Sequence, residues 1–140
     1  MIDSPLLIIG GKNSDRRGQI FHVNNFDLSP IKRIYIIENK NIFINRGWKG
    51  HMIENRWFFC SKGSVEIKIA AISSFLSNKK NELTKFTLSE DDLNILCVPK
   101  GHATMVRQIS DKSRLVAMSD FKLGVSNDED LRWEPNFFEI

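Results

Sequence analysis

Residues 56–72, RWFFCSKGSVEIKIAAI, contain the pattern that sets the expected fold class. The second half alternates apolar and charged side chains, which is the two-residue period of a β-strand with one buried face. The first half is aromatic and apolar, and Gly63 can adopt the positive φ that a tight turn needs. We therefore predict two strands joined as a β-hairpin around Gly63, with Val65, Ile67 and Ile69 on one face.

Similar strand patterns extend along the rest of the chain. IKRIYIIE at 31–38 alternates in the same way, so Arg33 and Tyr35 should face one side and Ile34 and Ile36 the other. Further predicted strands are 19–24, 84–88, 94–99, 103–109 and 113–121. Turn-forming clusters separate them, and only ISSFLSNKKNE at 72–82 and SNDEDLRW at 126–133 have patterns of a helical turn. Many short strands indicate an all-β sandwich or barrel, in a single domain spanning residues 1–140.

The composition is that of a globular protein, with 41% hydrophobic and 26% charged residues among 140. The net charge of +3 is scattered without a run of like charges, which gives no reason to expect nucleic acid as a partner. The apolar run PLLIIGG is too short for a membrane span. Cys60 and Cys97 lie in apolar runs without metal-ligand spacing, so we expect reduced, buried thiols and a cytoplasmic protein.

The histidines are too sparse for a metal site. The chain has His22, His51 and His102, and the residue two before His51 is Lys49, whose ammonium would repel a cation. No serine stands in a nucleophile elbow, and IIGGKNSD lacks the Lys-Ser/Thr of a phosphate loop. We therefore expect no bound metal and no cofactor.

Acid–base chemistry is the class that the residues around His51 can support. His51 can hold or release a proton near neutral pH, and Lys49 should lie on the same strand face. A nearby ammonium would favour a neutral imidazole that is ready to act as a base. Arg33, Arg46 and Arg56 carry the forked donors that bind a diphosphate. The alternative from residue types alone is that all of these are solvated strand-face residues.

Several short motifs occur in an order that resembles a known family. They are DRRG at 15–18, IKRIY at 31–35, RGWKGH at 46–51, KGSVEI at 62–67, VPKG at 98–101, SDFK at 119–122 and LRW at 131–133. Together they resemble the cupin-fold dTDP-4-keto-6-deoxyhexose 3,4-ketoisomerases and dTDP-4-dehydrorhamnose 3,5-epimerases. The resemblance extends from about Asp15 to Trp133.

The resemblance implies an antiparallel jelly-roll (cupin) barrel that forms a homodimer and needs no metal. It implies a nucleotide-sugar ligand and proton transfer next to a ketone on a dTDP-4-keto-6-deoxy sugar. It also implies a place in deoxysugar or cell-surface polysaccharide biosynthesis.

The two catalytic motifs of the family are only partly matched. In Arg-Gly-x-His-Ala-His, Arg46, Gly47 and His51 match, whereas Lys49 stands where the family has its usual base. The family's Ser-Asp-Tyr-Tyr motif, which contains the proposed acid, reads SDFK here. Asp120 is kept and Lys122 replaces the second tyrosine.

Two hypotheses follow. In the first, the protein is an isomerase or epimerase in which His51 is the base. Lys49 or Lys122 stabilises the enolate and moves the second proton, and Tyr35 assists as an acid. The expected substrate-binding residues are Arg33, Arg46, Glu54, Arg56 and Asp120. In the second hypothesis, the protein is a non-catalytic cupin that retains the sugar-nucleotide pocket.

Overall fold

The computed structural model describes residues 3–77, 83–122 and 131–139, which contain twelve strands and one short helix. The strands are β1 Leu6–Ile8, β2 Gly11–Asp15, β3 Gly18–His22, β4 Arg33–Ile37, β5 Asn45–His51, β6 Arg56–Lys62, β7 Ser64–Ala71, β8 Thr84–Ser89, β9 Ile95–Val98, β10 His102–Gln108, β11 Arg114–Ser119 and β12 Leu131–Arg132. Helix α1 spans Ile72–Ser77 and begins directly after β7. Over these ranges no helix is long and apolar enough to cross a membrane.

All strand pairs are antiparallel, and ten of the strands form two five-stranded sheets. The first sheet has the order β1-β9-β6-β11-β4 and the second has the order β12-β5-β10-β7-β8, while β2 and β3 form a separate hairpin. The predicted all-β antiparallel class is therefore confirmed. The helical turn predicted at 126–133 lies mostly outside the described residues, and its last part contains β12 instead.

The predicted hairpin between β6 and β7 is wrong. β6 pairs with β9 and β11 of the first sheet, whereas β7 pairs with β8 and β10 of the second. Gly63 does have the expected positive φ, at 72°, but the chain there passes from one sheet to the other. The backbone nitrogen of Ser64 donates to Ser113 Oγ at 3.0 Å, and that of Gly63 donates to Glu90. These contacts hold the turn against neighbouring loops, so the two strands separate.

The main core lies between the two sheets. Val65, Ile67 and Ile69 of β7 are all buried there, which confirms the predicted face. The opposite sheet contributes Phe58, Leu96, Leu115 and their neighbours to the same cluster. On β4, Tyr35 and Ile37 pack against this core while Ile34 and Ile36 are exposed, also as the alternation predicts.

A second apolar cluster covers the outer face of the second sheet. Trp48 of β5 packs edge-on against Phe75 of α1 and against Phe138 near the C-terminus. Trp133 stacks on Phe75 with ring centroids 4.0 Å apart. Paired backbone hydrogen bonds between Trp48 and Trp133, of 3.0 and 3.1 Å, extend the contact. The C-terminal segment 133–138 is thereby fixed beside β5.

Cys60 and Cys97 are both buried and free, as the sequence predicts for reduced core thiols. Cys60 belongs to the main core. Cys97 pairs with Trp57 across β9 and β6 and lines a smaller hollow of about 350 Å³ on the other side of the first sheet. The two thiols therefore occupy different faces of one sheet.

Candidate functional site

A cleft of about 810 Å³ opens beside β5, between the two sheets. Strands of both sheets and the C-terminal segment form its walls. Its polar and charged lining residues are Tyr35, Glu38, Arg46, Lys49, Arg56, Thr104, Arg132 and Glu134. A cleft of this volume is within the range of small-molecule sites.

Strand β5 directs Lys49 into the cleft. Lys49 pairs with Thr104 of β10, and the register then continues without a shift to His51. A Cβ on Gly50 would meet Ile72 and Ala103, so Gly50 faces the outer cluster. Because neighbours on a strand face opposite sides, Lys49 and His51 both face inward.

Gly47 lies at an irregularity in β5, between Arg46, which lines the cleft, and Trp48, which packs in the outer cluster. The register between β5 and β10 shifts at Trp48, which turns that side chain to the outer cluster. Gly47 has a φ of 138°, and a Cβ there would overlap the carbonyl oxygen of Thr104. Only glycine fits this position, so the match to the family's Arg-Gly pair has a local physical reason.

Four cationic side chains from the two sheets line the cleft, namely Arg46, Lys49, Arg56 and Arg132. Arg46 is exposed, and its Nε donates to Asn39 Oδ1 at 2.9 Å. Lys49 is partly buried. Arg56 of β6 is buried, donates from Nη1 to Thr104 Oγ1 at 3.2 Å, and lies over the ring of Phe58. This arrangement favours an anionic ligand.

Tyr35 of β4 adds a phenol to the same cleft. The guanidinium of Arg33 lies 4.6 Å from the centre of the Tyr35 ring, in cation–π geometry. Arg33 itself is not part of the cleft lining. Arg33 therefore lies behind the cleft wall, in contact with the ring of Tyr35.

His51 forms a buried pair with Glu54. Nδ1 of His51 lies 3.2 Å from Oε2 of Glu54, and both side chains are at most 5% exposed. Neither belongs to the cleft lining, although His51 follows Lys49 on the inner face of β5. The predicted base is therefore placed beside the cleft and not in its wall.

Asp120 and Lys122 lie away from the cleft. Asp120 accepts hydrogen bonds from the backbone and the side-chain nitrogen of Asn55, at 2.9 and 2.8 Å. It lines the smaller hollow that also contains Cys97. Lys122 is exposed and is not in the cleft lining. The observed role of Asp120 is thus to hold the loop before β6.

The structure therefore brings together Tyr35, Arg46, Lys49 and Arg56 from the predicted set. It adds residues that sequence reasoning missed, among them Thr104, Arg132 and Asn39. Arg132 lies within the LRW motif, which was a signal for it. Thr104 and Asn39 have no signal in the sequence, because their importance comes from contacts with residues far along the chain.

The described residues contain no group of three His, Cys, Asp or Glu side chains close enough to hold a metal ion. The absence of a metal requirement stays a prediction.

The fold is of the cupin-like type. No family model and no curated protein matches the chain. Solved structures do match, and the predicted cupin-like fold is confirmed by them.

The 3,4-ketoisomerase QdtA from Thermoanaerobacterium thermosaccharolyticum, solved in complex with TDP, superposes with a TM-score of 0.71 at 19% identity, covering 99% of this chain and 94% of that one. A 3,4-ketoisomerase from Helicobacter canadensis gives a TM-score of 0.72 at 19% identity, covering 99% and 96%. The dTDP-4-dehydrorhamnose 3,5-epimerase of Bacillus anthracis, with TDP and PPi bound, gives 0.73 at 15% identity, covering 97% and 83%.

Proposed function

We propose that the protein binds a dTDP-4-keto-6-deoxy sugar in the cleft and isomerises or epimerises it by proton transfer. The observation that carries this proposal is the position of Lys49. It lines the cleft at the place where the resembled family has its base, with Arg46 and Arg56 in the same walls. The structural neighbours with TDP bound support a nucleotide sugar as the ligand class.

The diphosphate would bind to the cations of the cleft. Arg46 is exposed at the cleft, and a guanidinium can contact two phosphate oxygens at once. Arg56 is already ordered by Thr104 and by the ring of Phe58, so its charge is held in place before a ligand arrives. Fixed donors in a partly desolvated site bind anions more strongly than mobile surface lysines do.

Proton removal next to the ketone would place negative charge on the ketone oxygen. The ammonium of Lys49 can stabilise that enolate, and the phenol of Tyr35 can donate its own proton to the enolate carbon and then take one from water. Nδ1 of His51 bonded to Glu54 would leave Nε2 as the proton acceptor. We assign the role of base to His51, which follows Lys49 on the inner face of β5 and is held by Glu54.

A non-catalytic cupin is the second candidate function, and two observations favour it. His51 lies outside the cleft lining, and Lys122 is exposed and also outside it. A protein that lost its base and acid while keeping the anion-binding residues would bind a nucleotide sugar without converting it.

Proton exchange distinguishes the two functions. The protein is incubated with dTDP-4-keto-6-deoxyglucose in deuterated water, and the sugar is analysed for label at C3 and C5. An active enzyme introduces label, and His51→Asn should abolish it while leaving TDP binding nearly intact. Tight binding without label in the unmodified protein would establish the non-catalytic function. If the protein does not bind the nucleotide sugar, its similarity to the solved structures is one of fold and not of function.

We further propose that the protein is a cytoplasmic homodimer of deoxysugar or cell-surface polysaccharide biosynthesis. Its free, buried thiols suit a reducing compartment. Ile34 and Ile36 are 64% and 57% exposed on the outer face of the first sheet. β4, which carries them, is an edge strand. A second copy covering this edge would remove both apolar surface and unpaired backbone groups from water.

A further inference from the structure

A series of buried amide groups ends at Arg46. Gln108 Oε1 accepts a hydrogen bond from the backbone nitrogen of Asn39 at 2.6 Å. The side-chain nitrogen of Asn39 lies within hydrogen-bond distance of the carbonyl oxygens of Ile44 and Val106, at 3.3 and 3.5 Å. Its oxygen accepts from Arg46 Nε at 2.9 Å. Asn39 and Gln108 are each only 2% exposed.

This arrangement occupies one side of the Arg46 guanidinium and leaves the other side available. The bond to Asn39 uses Nε, and the two terminal nitrogens of Arg46 have no hydrogen bond to any other described residue. Glu38, one of the two carboxylates that line the cleft, is paired with Arg114 at 3.0 Å. Over residues 3–77, 83–122 and 131–139, Arg46 has no carboxylate within ion-pair distance. Its charge is therefore held but not neutralised.

Burial of two side-chain amides costs stability wherever their donors and acceptors lack hydrogen-bond partners. Among the described residues, Gln108 Nε2 is buried without a hydrogen-bond partner, which is unfavourable. Asn39 lies in the loop between β4 and β5, where no strand pairing holds it. Gln108 and Val106 of β10 supply that support and thereby fix the side chain that contacts Arg46.

We propose that Asn39 is a positioning residue that acts through Arg46. It holds Nε so that the two terminal nitrogens face the cleft and bind neighbouring oxygens of the substrate diphosphate. The proposal rests on the function proposed above for its ligand. An exposed arginine normally loses side-chain freedom when a ligand binds, and the bond to Asn39 removes part of that freedom beforehand.

The binding test is a double-mutant cycle with TDP and with inorganic pyrophosphate, measured by calorimetry. Asn39→Ala should weaken TDP binding about tenfold in the native background and less than twofold when Arg46 is already alanine. Asn41→Ala is the matched control, because Asn41 lies in the same loop and, among the described residues, bonds only to the backbone nitrogens of Phe43 and Ile44. An equal loss in both backgrounds, or no loss with the fold intact, would overturn the proposal.

Arg46→Lys tests the same idea without touching the buried residues. Lysine keeps the charge, but its donors all lie on one nitrogen, so it lacks the fork in which Nε faces Asn39 while the terminal nitrogens face two phosphate oxygens. We expect most of the loss seen with Arg46→Ala, whereas native affinity would overturn the proposal.

A ligand-free measurement separates this inference from the proposed function. The Nε–H signal of Arg46 in ¹⁵N NMR, identified by its loss in Arg46→Lys, should be ordered and slow to exchange in the native protein. In Asn39→Ala it should become mobile, and in Asn41→Ala it should not. An Arg46 signal that is insensitive to Asn39→Ala refutes the positioning role, even if TDP binds. If the Arg46 signal changes in Asn39→Ala but TDP does not bind, the proposed ligand is wrong. The coupling between Asn39 and Arg46 is then still established.

Discussion

At the scale of single residues, Gly47 determines the path of β5 past the cleft. Its φ of 138° and the nearby carbonyl of Thr104 leave no room for a side chain. Gly18 has a similar φ of 134°, but a Cβ there would meet nothing within 4 Å. An alanine at Gly18 therefore meets only the unfavourable backbone conformation, whereas an alanine at Gly47 meets the steric overlap as well.

We expect Gly47→Ala to lower the free energy of unfolding by about 2 kcal/mol more than Gly18→Ala. Relief of the overlap requires β10 to move away from β5, which would also weaken TDP binding. Urea unfolding of both variants measures the difference. Equal destabilisation by the two alanines would show that the overlap is relaxed without cost.

The two thiols give a pH-dependent prediction. Burial raises the pKa of both Cys60 and Cys97 above the ordinary value of 9.0. Below that value both folded and unfolded thiols are protonated, and the stabilising contribution is complete. As pH rises above 9.0 the unfolded thiols ionise first, so stability falls until the folded thiols also ionise.

Urea unfolding between pH 7.5 and 10 measures this loss. The double variant Cys60→Ala, Cys97→Ala should show a smaller decrease of stability with pH than the native protein. An identical decrease in both proteins would show that the two thiols do not contribute to it.

At the scale of secondary structure elements, α1 is short but carries the residue at the centre of the outer cluster. Phe75 contacts Trp48, Trp133, Phe137 and Phe138 through its ring. Leu76, the next residue of the same helix, is 84% exposed. The two residues are a matched pair for the contribution of the cluster.

Phe75→Ala should destabilise the protein by about 3–5 kcal/mol, because it removes a buried ring and leaves a cavity. Leu76→Ala should change stability by less than about 0.5 kcal/mol. Thermal and urea unfolding test both. A small effect of Phe75→Ala would mean that the C-terminal segment does not depend on the cluster.

Strands with a clear alternation, such as β4 and β7, were predictable, whereas the connections between strands were not. The period of two fixed the buried face of β7 and of β4, since each face is set by local sequence. The partner of β6 was mispredicted because a glycine turn between two strands is typical of both a hairpin and a crossing between sheets. The outcome depends on Ser110, Ser113 and Glu90, which lie far along the chain.

The candidate site was predictable to a similar extent. The RGWKGH segment pointed to Arg46 and Lys49, which line the cleft, and spacing placed His51 on the same strand face as Lys49. It did not indicate that His51 would be buried against Glu54, since burial depends on what covers the end of the strand. The positions of Asp120 and Lys122 depend on a loop whose packing no local pattern describes.

At the scale of the whole molecule, the exposed edge of the first sheet gives a prediction of assembly. Ile34 and Ile36 are exposed beside Val116 and Met118, which are buried on the same outer face. We expect a dimer in light scattering at micromolar concentration and a monomer after Ile34→Lys. Phe43→Lys is the control, because Phe43 is 85% exposed but lies in the loop before β5. A monomeric native protein would contradict the prediction.

The C-terminal segment 133–138 contributes to both the cleft and the outer cluster, because Trp133 and Phe137 line the cleft and also pack in that cluster. Occupancy of the cleft and attachment of this segment are therefore thermodynamically linked, and each must favour the other to the same degree. A ligand at one hundred times its dissociation constant would add up to about 2.7 kcal/mol to the stability of the attached state. The segment should accordingly resist carboxypeptidase digestion better in the presence of TDP, which makes protease resistance a label-free readout of ligand binding.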